Sequence, residues 1–396
     1  MPKKHSNVNK NLIKYAIKLL RESYEYRNIC GTKTRIVSAG KNNFRELWAR
    51  DFSSASLGIL TIGDFSIVKE VLAIFYKFQK KDGQLPKGFY LEHPFKKYIK
   101  GILGIKTKKN KKMFPSYKTF LTKPIDSNSL IISTTKNYYE KTKDKLFILK
   151  FYHNMTLAIK WLENQDENKD ILIEQGWYGD WADSLRRKGQ VLCGNILYYR
   201  AVIDYAFISQ EIGYTKKAKE YYEKAEKIKN KINEFFWDEH LGYYRESKNS
   251  TIFATFGNLL AILLDISSNE RTEKILSFIK KKELYKPIPI KAAYPHYNFF
   301  KKQMITNIFG VYQYSKQSWQ WIGNFYVAAL AQTNHIKEAL DVSKQIYNSI
   351  KKHGDFYEIF DKNGNPFKTF CFKSDKRFTM NIGTFIYSQD LLNNKI

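Results

Sequence analysis

About twelve stretches of this sequence space their apolar residues with the helical period, and the segments joining them alternate between short and long. The stretches are 9–28, 50–60, 64–79, 126–139, 144–165, 194–212, 215–236, 253–264, 268–281, 319–332, 335–353 and 378–393. Short polar turns such as Thr61-Ile62-Gly63, Gly213-Tyr214 and Thr333-Asn334 follow the even-numbered stretches. Long connections follow the odd-numbered ones and hold nearly all the Trp and the clustered acids. Six helical hairpins closed into an inner and an outer ring would produce this alternation, with every long connection at one end. A helical solenoid would alternate too, but stacked repeats carry self-similarity at a fixed period, which is absent here. The expected fold is all-α, an (α/α)6 barrel.

The 396 residues are 43% hydrophobic and 16% aromatic, enough for one large core. No Pro/Gly/Ser-rich linker divides the chain, so a single catalytic domain over 1–396 is expected. Residues 90–123 form a Lys-rich excursion too long for a mere connection, which suggests a lid. The turn signals in Asp361-Lys362-Asn363-Gly364-Asn365-Pro366 predict a small hairpin before the last helix.

Lys+Arg 67 against Asp+Glu 38 makes a net charge of +29. Lys dominates, whereas bidentate recognition of phosphate or bases favours Arg. The surplus therefore reads as a generic basic surface, and nucleic acid is a weak expectation. Three scattered Cys (Cys30, Cys193, Cys371) make neither a disulfide framework nor a metal spacing, and the His residues show no ligand motif, so no metal and no cofactor are expected. The basic N-terminal stretch lacks the apolar run of a signal peptide, and no stretch has membrane-spanning length, so the expected address is cytoplasmic.

The long connections carry the chemistry. Gly176-Trp177-Tyr178-Gly179-Asp180-Trp181-Ala182-Asp183 joins flat apolar faces, on which pyranose rings stack, to carboxyl groups that can move protons. Trp48-Ala49-Arg50-Asp51, Asp126 and Trp319-Gln320-Trp321 stand at helix starts, and Asp82-Gly83-Gln84-Leu85-Pro86-Lys87 opens the second long connection, ahead of the Lys-rich excursion. Phe356-Tyr357-Glu358 precedes the last helix. Each taken alone has a structural reading as a cap or a buried aromatic. Gathered at one end of a barrel, they describe a carbohydrate pocket. Hydrolysis of a glycoside needs one carboxylic acid for the leaving oxygen and a second carboxylate across the sugar, and Asp183 and Glu358 are taken as acid and base. Trp177, Tyr178 and Trp181 would desolvate the acid. Trp48, Arg50, Asp51, Gln84, Asp126, Trp177, Asp180, Trp181, Trp319 and Trp321 are expected to surround a terminal sugar. Asp51 and Asp126 lie at helix N-termini, whose dipole should lower their pKa and keep them ionised. Asp180 and Asp126 stay open as alternative acids.

Residues 47–89, with Arg50-Asp51-Phe52 and Asp82-Gly83-Gln84-Leu85-Pro86-Lys87-Gly88-Phe89, resemble the N-terminal part of the catalytic barrel of neutral/alkaline invertases. The later run Trp181-Ala182-Asp183, Gly189 and Asn195-Ile196-Leu197-Tyr198-Tyr199 resembles both those invertases and the glucosidase domain of glycogen debranching enzymes. The pattern departs from the invertases after Asp183, where Ser184-Leu185 displace the Arg186-Arg187 pair. The resemblance implies a six-hairpin barrel and an inverting hydrolase of a terminal, α-glucosidic sugar, with an oligosaccharide or disaccharide as substrate. It places the acid at the position of Asp183 and the base at Glu358. Two alternatives remain: a phosphorolytic enzyme on the same barrel, and a non-catalytic carbohydrate- or nucleic-acid-binding protein.

Overall fold

Helix burial sorts this chain into two classes before any topology is considered. In the helix Thr215–Phe235 the buried residues are Ala218, Tyr221, Ala225, Ile228 and Ile232, a single stripe at the spacing of an amphipathic surface helix. In Gln320–Gln332 every residue from Gln320 to Ala331 is buried, as in a helix with protein on all sides. The computed structural model describes residues 3–42, 44–91, 112–119, 122–298, 302, 316–370 and 372–396, with the side chains of 3–9 left aside. Among these, twelve α-helices alternate between the two classes.

They are α1 (Lys3–Arg21), α2 (Ala49–Thr61), α3 (Phe65–Lys77), α4 (Asp126–Thr142), α5 (Lys145–Glu163), α6 (Leu192–Glu211), α7 (Thr215–Phe235), α8 (Thr255–Leu263), α9 (Asn269–Lys281), α10 (Gln320–Gln332), α11 (Ile336–His353) and α12 (Thr379–Asn393). The even-numbered helices close a ring: α2 packs on α4, α4 on α6, α6 on α8, α8 on α10, α10 on α12, and α12 back on α2. Outer helices α3, α5, α7 and α11 pack against the inner helix that precedes each of them, and α1 packs on α12. This is the expected (α/α)6 barrel. The ring closes tightly at α2–α12, where a Cβ on Gly58 would strike the Gly383 backbone and one on Gly383 would strike Ala55. Glycine is required at both positions because the two backbones touch.

Local signals end the outer helices. Asp144 caps α5 by accepting the Phe147 N–H at 3.1 Å, and Ser268 caps α9 by accepting that of Arg271 at 3.3 Å. Gly354 closes α11 in the left-handed region at φ 71°. No helix of the described residues is long and apolar enough to cross a membrane.

The first helical stretch needs correction. It stops at Arg21, and Tyr24–Ile29 pairs antiparallel with Thr32–Val37 as a hairpin. The turn takes Cys30 and Gly31 to φ 48° and 98°, and Asn28 Oδ1 accepts the Gly31 N–H at 2.8 Å. Tyr24 follows Leu20 at helical spacing, so the helical pattern runs on past Arg21, and the turn chemistry decides. The expected C-terminal hairpin is present: Phe360 bridges Pro366, and Asp361 Oδ1 accepts the N–H groups of Asn363 and Asn365. The core of the Lys-rich stretch expected as a lid, residues 92–111, lies outside the described residues, as does Cys371. Cys30 and Cys193 are free thiols.

Candidate active site

First-turn residues of the inner helices meet, Arg50 of α2 with Asp126 of α4 and Phe256 of α8 with Trp321 of α10, so these N-termini and the long connections before them gather at one end of the barrel. Buried asparagines near these N-termini hold the incoming loops. Asn128 accepts the Leu85 N–H and donates to the carbonyls of Gly83 and Ala158. Asn195 accepts from Ile173 N–H and donates to Ile173 O. Asn258 does the same with Tyr244, and Asn381 donates to Tyr357 O. A short amide paired to a loop backbone satisfies groups that burial would otherwise orphan. This device, an Asn placed within the first turns of an apolar helix, recurs along the sequence but is too short to register as a self-similar repeat.

Arg50, in the first turn of α2, is the hub. Its guanidinium lies 3.4 Å from Asp126 Oδ2, 3.4 Å from Asp180 O and 3.2 Å from Asp183 Oδ2. It also sits over the Trp48 ring, 5.7 Å from the centroid. One cation thus joins residues from three connections. Asp51 and Asp126 are fully buried beside it, and here the structure corrects the sequence reading. Burial pushes Asp51 up to about 6, against the opposing pull of Arg50, and raises Asp126 in the same way. Desolvation outweighs the helix N-terminus and the neighbouring cation because water is excluded from both carboxyls.

The sign of the effect on stability follows. A carboxyl whose folded pKa exceeds its unfolded value stabilises the fold fully below the unfolded pKa, and loses that contribution as pH rises through about 6. Asp51→Asn should therefore raise the melting temperature at pH 7 by the equivalent of about 2–3 kcal/mol and leave it nearly unchanged at pH 4. Thermal melts of both proteins across that range check this; an equal shift at both pH values would show that Asp51 does not titrate as described.

Asp180 belongs to a different arrangement. It pairs with Arg187, which also reaches Glu246 Oε1 at 3.3 Å, and the Tyr297 hydroxyl donates to that same oxygen. All three charged side chains are at most 3% exposed. Burial raises the Asp180 pKa and Arg187 opposes it. Asp180 thereby braces the loop that presents Asp183.

The aromatic residues divide. Trp181 meets Trp319, Trp321 and Phe256 edge-on, at 5.7, 5.3 and 6.1 Å between ring centroids. Trp177 does not join this wall: it is 51% exposed, with the Arg186 guanidinium 5.8 Å from its ring centroid. Tyr178, at φ 64°, turns away to accept a hydrogen bond from Arg186. The positive φ reverses the chain there, so the loop sends Trp177 outward and Trp181 inward. Gln84 is buried with both ends of its amide engaged, to Tyr117 O at 2.7 Å and Lys80 Nζ at 3.2 Å, so it holds its own loop together.

Glu358 is 4% exposed. Its backbone N–H bonds Asp375 O, and the next two residues, Ile359 and Phe360, pair with Trp319 and Ser318. The Asp375 carboxylate accepts the N–H groups of Asn42 and Phe44, which ties this loop to the segment leading to Trp48 and Arg50. Flanking Trp319, the fully buried amides of Gln317 and Gln320 have no hydrogen-bond partner among the described residues. Gln317 and Tyr90 escape a sequence reading, and Gln320 and Lys87 enter it only as members of motifs, because nothing local separates a buried polar group from a surface one. Lys87 is 8% exposed and packs over Trp48 and Tyr90; burial lowers its pKa to about 8 while Asp183 opposes the shift.

A sequence profile of the bacterial α-L-rhamnosidase six-hairpin glycosidase domain matches residues 95–283. Among solved structures, the GH63 mannosylglycerate hydrolase from Thermus thermophilus, in complex with Tris and D-glycerate, superposes with a TM-score of 0.69 at 12% identity, over 95% of this chain and 99% of that one. This chain has the six-hairpin glycosidase fold. The rhamnosidase from Klebsiella oxytoca with rhamnose bound superposes with a TM-score of 0.65 at 13% identity. There the six-hairpin barrel of this chain is covered over 95% of its length but spans only 62% of the relative. No curated protein matches the sequence. The invertase likeness of residues 47–89 rests on sequence alone, while the six-hairpin fold rests on the superpositions and is matched by the profile over residues 95–283.

Proposed function

We propose that this barrel is an inverting glycoside hydrolase that removes a terminal sugar, with Asp183 as general acid and Glu358 as general base. The observation that carries the reading is the Arg50 hub, which holds Asp183 at 3.2 Å where the long connections meet. A part-exposed carboxyl, 26% accessible at the side chain, can reach a glycosidic oxygen, whereas Asp126 and Asp180 are sequestered at 3% and 1%. Trp181, Trp319 and Trp321 offer the apolar faces, and Arg50, Asp51 and Asp126 the hydroxyl contacts. Inversion requires carboxyls about 6.5–9.5 Å apart with one water between them. A buried Glu358 on a braced loop suits that water better than inorganic phosphate, which needs no base. The free thiols of Cys30 and Cys193 accord with a cytoplasmic address.

The test is a panel of α-glucosides, α-rhamnosides and α-mannosides, with and without phosphate, in which NMR reads the anomer formed first. Free sugar of inverted configuration is expected from at least one α-linked substrate, with the α-glucosides first in order. A retained anomer would make Glu358 a nucleophile, and a sugar phosphate would make the enzyme a phosphorylase. Either result overturns the proposal.

A further inference from the structure

Three hydrogen-bond donors are buried together beside the Arg50 hub with a single acceptor among them. Leu47–Trp48 pairs antiparallel with the strand Gly88–Tyr90, Trp48 opposite Gly88, with Lys87 just before that residue and Tyr90 two places after it. The Trp48 and Tyr90 rings meet edge-on at 4.7 Å, and Lys87 Nζ stands 5.1 and 5.4 Å from their centroids. Neither Trp48 Nε1 nor Tyr90 Oη has a hydrogen-bond partner among the described residues. Lys87 Nζ donates once, to Thr119 Oγ1 at 2.8 Å. No carboxylate of the described residues lies within ion-pair distance of it; Asp126 and Asp183 are committed to Arg50.

An ammonium is almost never buried unpaired, because the desolvation it suffers is not repaid. An indole N–H and an ammonium can only donate, and a phenol donates most readily. What such a group lacks is one compact acceptor with several lone pairs. Trp48 keeps part of its surface exposed, which leaves a side from which that acceptor can enter.

We propose that Lys87, Tyr90 and Trp48 bind an oxyanion carried by the substrate, a carboxylate or a phosphate, so that the preferred glycoside is acidic. This rests on the hydrolase reading above and narrows it to a substrate class. The oxyanion supplies the missing counter-charge, and the Trp48–Tyr90 ring contact and the Lys87–Thr119 hydrogen bond hold the three donors in place before it arrives.

Calorimetry compares glucose with glucuronate, glucose 6-phosphate and lactate, which place the oxyanion on the sugar as carboxylate, on the sugar as phosphate, or on a separate small acid. At least one acid should bind roughly tenfold or more tighter than glucose, the worth of a single charge-assisted hydrogen bond. Lys87→Met should abolish that preference without lowering the melting temperature, because it removes an unpaired buried charge. Tyr90→Phe, which keeps the ring, should weaken the preferred acid and leave glucose unaffected. Equal binding of acids and glucose by the unmodified protein overturns the proposal, as does a preference that survives both substitutions. Cleavage of neutral glycosides with no gain from an acidic group would overturn this inference and leave hydrolysis standing. Selective binding of acids by a protein that cleaves no glycoside would do the reverse.

Discussion

Asp183→Asn should lose about 10²–10⁴-fold in turnover of unactivated glycosides, the range that a positioned general acid supplies. The loss should be far smaller on glycosyl fluorides or dinitrophenyl glycosides, whose leaving groups depart without a proton. Glu358→Gln should be inactive on both classes, since the attacking water then has no base. The two profiles differ for a chemical reason, so a shared loss of folding cannot reproduce them. Asp126→Asn and Asp180→Asn are the competing variants. Asp126 is locked beneath Arg50 and Asp180 onto Arg187, and neither carboxyl is open to solvent as Asp183 is. If either showed the leaving-group signature while Asp183→Asn behaved like the unmodified protein, the acid would have to be reassigned.

Arg187→Ala should cost about 3–5 kcal/mol of stability at pH 7, since it leaves buried carboxylates without their partner. Asp180 and Glu246 lie on either side of Arg187, each 1% exposed, and would face each other across the gap. The loss should shrink as pH falls, because protonation of Asp180, whose pKa burial already raises, relieves its charge. It should also be partly recovered when Asp180→Asn and Glu246→Gln are added to an Arg187→Met background, where no charge remains to be desolvated. Urea denaturation across pH 4–8 measures this. A loss well under about 1 kcal/mol at pH 7, as found for exposed pairs, would show that water reaches the cluster. Activity should fall with stability here, because the Asp180 carbonyl is one of the groups that orient Arg50.

The fold and the site differ in how far local pattern carries. Helix number, order and the ring each helix joins were all present in periodicity: Ala218, Tyr221, Ala225, Ile228 and Ile232 mark an outer helix, and the apolar run from Gln320 to Ala331 an inner one. Both patterns concern residues within a few turns of each other, where burial leaves a direct mark on composition. The hairpin Tyr24–Ile29 with Thr32–Val37 was hidden because Tyr24 follows Leu20 at helical spacing, and only the left-handed turn at Cys30-Gly31 breaks that pattern.

In the site, the residue types were legible and their partners were not. Trp48, Arg50, Asp126 and Trp319 announced themselves at helix starts and Trp181 in a long connection, yet nothing local says that Arg50 joins Asp126 and Asp183 while Asp180 turns to Arg187. Those pairings depend on how far each inner helix advances toward the open end, which the packing of the whole ring decides. Protonation followed the same rule. A helix N-terminus argues for an ionised Asp51, but full burial, a property of six helices together, raises its pKa to about 6. Sequence by itself determined the barrel and the kinds of group at its mouth. The tertiary structure alone decided which charges are paired, which are desolvated and which, like Lys87, are left without a partner carboxylate among the described residues. Coulomb and desolvation energies depend on distances in space that chain order does not encode.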